Sequence, residues 1–487
     1  MDNYRWVYLL FSCLTLFFAQ WGFDEMGILA SRMSGLSPEC IWNNGTDATC
    51  LTMTASEFNG LFVAHFWSGT ISAIGTGYIT GRFGIWIGSL CVALAQLLGM
   101  LIFTVGPYGP TTNVAYAVML IGRIIFGCGF WGSSVVSQQV MSHWFFGREL
   151  AMAFSLYTNS IRIASIISFA SLGTVAQKYG MQNTMWIVFG LAVLGPSSSV
   201  LGGWVYKRFA AISMAEERWL ASSARTGISL SLIKKLSWHY WTVAIFFFAT
   251  YGTLVSILAD FAKFLTEARG LNEATAGVTT GIISDIGILS PLLGIVTDRY
   301  GWRDIQMIAS STFILTGLLV ITTSTSALSM PVIFCVLVGA GYVLFTSSVW
   351  SSVVAVTTST TVGVAMSITT AIQSFSGGAF LLMLGLLLDR NSMEERGTWM
   401  SFFVVLAVTV SVALLSALAA LYLDRKNILR PLRSKHSTYV PAAAAEMNTA
   451  VDEVQPFAKA NGSARGGYRY SDSLSSGSVG SPTCVNC

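Results

Sequence analysis

Gly77-Tyr78-Ile79-Thr80-Gly81-Arg82-Phe83-Gly84 and Gly294-Ile295-Val296-Thr297-Asp298-Arg299-Tyr300-Gly301-Trp302-Arg303 are versions of one loop, 217 residues apart. Each follows a long apolar run, and each is a short turn between two such runs. A tight helix-to-helix turn needs glycine, and an acid in it can hold bases or helix N-termini nearby. The matched placement implies two halves of similar build. Internal repeats of this kind are typical of secondary transporters, which bind their cargo between the repeats near the bilayer midplane.

Working outward, the composition agrees. Of 487 residues only 10% are charged, against about 25% in an average soluble protein. Hydrophobic residues make up 53%, with 30 Phe and 15 Trp. A soluble chain of this length needs a charged shell that 27 Lys and Arg with 23 Asp and Glu do not supply. This excludes an ordinary cytosolic enzyme, a disordered scaffold and a disulfide-stapled secreted module. The net charge of +4 is too small to point to nucleic acid.

A bilayer core about 30 Å thick takes roughly 20 apolar residues per helix. Twelve runs qualify: about 6–29, 57–80, 85–106, 114–142, 149–173, 183–206, 240–265, 273–297, 304–323, 330–356, 362–388 and 398–423. The expected fold is an all-α polytopic membrane protein of two six-helix bundles, residues 1–206 and 240–424. A cytosolic linker at 207–239 joins them, and a disordered cytosolic tail spans 425–487. The first run lacks a basic leader and a small-residue cleavage site, so it reads as a retained helix ended by the polar pair Asp24-Glu25.

The loop charges orient the chain. With the N-terminus in the cytosol, 19 Lys and Arg fall on the cytosolic side and 6 opposite, leaving Arg123 and Arg162 inside spans. That is the positive-inside pattern. It places the loop between the first two runs outside the cytosol. This loop carries the glycosylation sequon at Asn44 and two cysteines, Cys40 and Cys50, which read as a local disulfide.

The turn Gly294-x-x-x-Asp298-Arg299-x-Gly301 resembles the loop motif of the major facilitator superfamily, and Gly122-Arg123 through Gly127-Cys128-Gly129 resembles its fourth-helix arginine motif. The first-half loop has Gly81 where that family usually has Asp. Within the superfamily the chain is most similar to the lysosomal dipeptide transporter branch. The similar stretches are Phe23-Asp24, Ser142 to Leu150, Arg162 to Ser165, Ser290-Pro291 through Asp298, Val349-Trp350, Ile372-Gln373 and Leu388-Asp389. After Gly129 that branch has an acid, whereas this chain has Phe130-Trp131-Gly132, so a preference for cationic dipeptides is not implied. The resemblance implies a lysosomal membrane and a glycosylated accessory subunit; a homodimer is the other assembly considered.

Ionisable side chains inside spans are costly and usually face a cavity or a partner. Arg162 lies about 13 residues into the fifth run, roughly 20 Å from the membrane edge. Its planar fork suits a substrate carboxylate, with a structural salt bridge as the alternative. Asp285 is a candidate partner of Arg162 in the empty site or a proton carrier, with a helix-packing acid as the alternative. Asp24, near the end of the first run, is a candidate for the substrate amine. Gln138, Trp350 and Gln373 are candidates to line the cavity, as are Gln139 and Asn159, with interhelical packing as the alternative. Arg123, Gly294, Asp298, Arg299 and Gly301 are read as structural or gating residues. His65 and His143 have no ligand-spaced partner, so no metal site is expected, and no cofactor, nucleotide or catalytic motif is present.

The function expected is a secondary active or facilitative transporter moving a small zwitterion, foremost a dipeptide, by alternating access. Two other readings stand beside it. One is a carrier of organic anions or sugars, since two bases are buried. The other is a transporter-shaped receptor or scaffold.

Overall fold

The computed structural model describes residues 3–33, 51–145, 149–210, 230–271, 273–323, 329–358, 361–390 and 395–424. Asn44, Cys40, Cys50, most of the 207–239 linker and the 425–487 tail lie outside the described residues, and the domain boundaries drawn there stay expectations.

Twelve long helices are present among the described residues. The first four are α1 (Asn3–Ile28), α2 (Ala55–Phe83), α3 (Ile85–Val105) and α4 (Thr112–Trp144). A continuous helical stretch, Leu150–Ala192, is broken by Gly180 at φ 77°, ψ 172°. It is therefore α5 (150–179) and the start of α6 (181–192), which continues as Leu194–Ala210. The second half holds α7 (Trp238–Glu267), α8 (Glu273–Gly287, resumed as Ser290–Tyr300), α9 (Arg303–Thr323), α10 (Ser329–Ala355), α11 (Val362–Arg390) and α12 (Glu395–Leu423).

Local chemistry sets the ends. Thr54 and Glu57 form a reciprocal capping box at α2, the Thr54 amide donating to Glu57 at 2.8 Å. Thr111 and Ser237 cap α4 and α7 with their hydroxyls. Gly84 (φ 88°) and Gly301 (φ 78°) close α2 and α8, in the left-handed region that the repeated turn requires.

Ten stretches are long and apolar enough to cross a membrane, one of them the 60-residue Leu150–Phe209 that Gly180 divides into two crossings. Helix α2, 29 residues long, is not one of these stretches but packs among the long helices. Large apolar side chains point outward along them, Ile71 at 76% exposure and Leu292 at 62%. Such a surface suits a lipid solvent rather than water.

Within the first half α4 packs on α2 and α3, and α1 on α5 and α6; within the second, α10 packs on α9 and α8, and α7 on α11 and α12. The two six-helix bundles meet along two seams, α2 against α11 and α5 against α8 and α10. The N-terminal face is the one carrying residue 3, Glu149 and the Gly301 turn. On this side the α5–α8 seam is tight. The Ser290–Tyr300 half of α8 lies along α5, whereas the Glu273–Gly287 half hardly touches it.

Contrary to the sequence expectation, Asp24 and Glu25 do not end the first helix at an interface. Helix α1 continues to Ile28, and both carboxyls are buried, Glu25 completely.

Candidate functional site

Arg162 sits on the α5 face turned toward α8 and is buried. Its Nη1 donates to Asn159 Oδ1 at 2.9 Å, to the Gly287 carbonyl at 3.3 Å and to Ser290 Oγ at 3.3 Å. The guanidinium carbon lies 4.3 Å from the centre of the Tyr342 ring of α10, a cation–π contact. The arginine thus spans the seam, held by neutral groups alone.

The expected Arg162–Asp285 pair is not made. Gly287, whose Cβ position would meet the Arg162 Nε, marks the α5-facing side of α8. Residue 285 is two positions earlier, about 200° around the helix. Asp285 shares the exposed stripe with Val278, Leu289, Leu292 and Val296 instead. Asp24 does not face Arg162 either. Its carboxylate accepts from Gln20 Nε2 at 2.7 Å and Ser168 Oγ at 2.9 Å, which ties α1 to α5 on another face.

Around Arg162 the second half supplies a polar arc. Gln373 of α11 lies near the hydroxyl of Tyr251 on α7, and Tyr251 neighbours Tyr342. All three are half-buried. Trp350 is not in this arc. It is 3% exposed, stacked on Phe154 of α5 at 6.1 Å and edge-on to Phe247 at 5.0 Å, nearer the N-terminal face. It forms a floor across the seam rather than a cavity wall. Gln138 lies on the other seam, where its Oε1 accepts from Thr370 Oγ1 at 2.8 Å; the Gln139 amide donates to the Gly363 carbonyl at 3.3 Å.

The repeated turn closes the N-terminal face at one seam. The Asp298 carboxylate accepts from the amides of Ala151 and Met152, each at 2.9 Å, at the N-terminus of α5. Gly294 makes the approach possible, since a Cβ there would come 2.8 Å from the Met152 Cα. Arg299 is exposed, with its guanidinium over Tyr300. In the first half Gly81 has no side chain to offer α11. Beside the turn, Arg5 pairs with Glu149 at 3.2 Å.

Arg123 belongs to a second cluster, inside the first half. It is completely buried, donates to the carbonyls of Gly22 and Phe23 at 2.8 and 3.3 Å, and lies 4.3 Å from the Phe103 ring. Glu25 interacts with it electrostatically without forming an ion pair. His65 is enclosed by Phe23, Phe66, Phe126, Phe130 and Trp131. Among the described residues no three His, Cys, Asp or Glu side chains converge as metal ligands.

Tyr342, Ser290, Tyr251 and Glu25 take places in these clusters that residue type alone does not reveal. A hydroxyl or ring inside an apolar run has no sequence signal. Glu25 does carry one, an acid within a helix length of the chain start, hidden when the pair is taken as a boundary.

Two helical bundles with a buried arginine at their seam fit the build of a membrane transporter. Residues 9–381 match the Major Facilitator Superfamily, and the chain belongs to that superfamily. Among similar proteins is the "Lysosomal dipeptide transporter MFSD1" of Danio rerio, 24% identical over 402 residues, covering 79% of this chain and 81% of the relative. Its Homo sapiens counterpart is 22% identical over 383 residues, covering 77% and 80%. Among solved structures the fold is similar to the proton:xylose symporter XylE bound to 6-bromo-6-deoxy-D-glucose. The TM-score is 0.66 at 15% identity, covering 86% of this chain and 96% of that one. It is also similar to FucP in the outward conformation, with a TM-score of 0.58 at 12% identity, covering 85% and 99%.

Proposed function

We propose that the protein moves dipeptides or similarly small zwitterions across a lysosomal or related membrane by alternating access, with Arg162 receiving the substrate carboxylate. One observation carries this reading: a permanently charged side chain is buried at the seam of the two bundles with no carboxylate partner. Its neutral hydrogen bonds are weaker than a bidentate carboxylate pair, so a bound carboxylate can draw it away. The relatives named as dipeptide transporters support the substrate class. Arg123 does not add a second anion-binding base, because its donors are spent on α1 carbonyls. That weighs against the organic-anion reading.

In this reading the N-terminal face is cytosolic, as the loop charges suggest. Asp298 on the α5 amides and the Phe154–Trp350 stack hold that side shut, while the Glu273 half of α8, which packs on α10 and α7 but hardly touches α5, leaves the lumenal side of this seam free to admit substrate. The test is dipeptide uptake into proteoliposomes. Arg162→Ala is expected to abolish uptake with expression intact, and near-normal uptake in that variant would overturn the assignment.

A further inference from the structure

The break in α8 leaves two consecutive carbonyls without helical donors. Pro291 has no N–H to give Gly287, four residues earlier. The Leu292 amide, which would serve Ile288, turns back to Leu289 at 3.1 Å. In a membrane interior such groups must be satisfied by other parts of the protein. Their partners come across the seam: Arg162 Nη1 on Gly287, and Asn159 Nδ2 on Ile288 at 2.9 Å.

The Arg162 Nη1 therefore occupies a cage made only of oxygens, Asn159 Oδ1, the Gly287 carbonyl and Ser290 Oγ, with Tyr342 as an aromatic wall beside the guanidinium. The cage is built for a cation and contains no carboxylate, since Asp285 faces the other side of α8 and Asp24 is engaged by Gln20 and Ser168. Resting on the carboxylate role proposed for Arg162, we infer that this cage is the binding site for the substrate's own ammonium group. When the guanidinium turns to the carboxylate, its Nη1 leaves three acceptors without a donor. An ammonium brings three N–H donors and restores the lost charge. A zwitterion satisfies both ends of the exchange and leaves the charge of the seam unchanged. An anion without an ammonium leaves the cage empty, and a cation without a carboxylate does not displace Arg162.

The test compares a neutral dipeptide, alanyl-alanine, with N-acetyl-alanyl-alanine, which keeps the carboxylate and lacks the ammonium. Binding is measured by calorimetry on the full-length protein and on Pro291→Ala and Ser290→Ala. The wild type is expected to bind the free dipeptide at least about tenfold more tightly, as loss of one charge-assisted hydrogen bond implies. Pro291→Ala returns an amide donor to Gly287, and Ser290→Ala removes one acceptor. Both should shrink the preference for the free dipeptide over the acetylated one. Equal binding of the two peptides by the wild type would overturn the inference, as would an undiminished preference in both variants. Sodium-dependent binding of the acetylated peptide would overturn it too, assigning the cage to a metal ion. If neither peptide binds the wild type, the dipeptide reading itself falls, an outcome distinct from equal binding.

Discussion

Arg123 and Arg162 are the two bases deep inside spans, and in a chain this poor in charge both stand out in the sequence itself. What they bind does not. Arg123 ends on α1 carbonyls and Arg162 on the Gly287 carbonyl of α8, and a carbonyl belongs to every residue, so nothing in the spelling marks which ones are free. The one sign the sequence carries is Pro291 within an apolar run, which removes one donor at a known position. Gly294 is the opposite case, readable as a turn residue but used for close approach. Gly294→Val would place a branched side chain against the Ala151–Met152 backbone. It is expected to destabilise the protein by about 1–3 kcal/mol, as overpacked cores do. A fall in the thermal midpoint checks this, and an unchanged midpoint would show that the two helices have room for a side chain there.

Helices are easier to place from sequence than their faces. The twelve runs correspond to twelve helices, and the gap between the fifth and sixth runs falls at Gly180, where the backbone turns left-handed. The eighth run reads as continuous by its apolar composition, yet α8 is broken between Gly287 and Ser290, where Pro291 withholds the amide that would serve Gly287. That break shifts no residue from the membrane but decides which groups meet α5. The phase of α8 also defeats the Arg162–Asp285 pairing, since two residues along a helix are nearly opposite. In the second half, by contrast, the turn's Asp298 meets the α5 amides. Asp298→Ala removes two hydrogen bonds from a charged acceptor, worth about 1.5–3 kcal/mol each. Hydrogen exchange in the segment 149–160 is then expected to accelerate by on the order of tenfold or more. Unchanged exchange there would mean that Asp298 does not hold the seam.

For the whole molecule, scarcity of charge, the loop repeat and the twelve runs point to the fold, because the bilayer leaves a chain few options: every backbone group must be satisfied within helices or buried seams. The cargo is less constrained. It depends on a handful of neutral groups at mid-depth, and the same architecture serves proteins as different as the xylose symporter it resembles. The central claim, a seam arginine that takes a substrate carboxylate, is tested most directly by thermal shift on purified full-length protein. The ligands are alanyl-alanine and its C-terminal amide, each offered to wild type and to Arg162→Ala. A ligand at 100 times its Kd stabilises the folded state by about 2.7 kcal/mol. Wild type is expected to show a concentration-dependent rise in midpoint with the free dipeptide and none with the amide, and Arg162→Ala none with either. Equal stabilisation by the amide, or a full response in Arg162→Ala, would contradict the carboxylate role of Arg162.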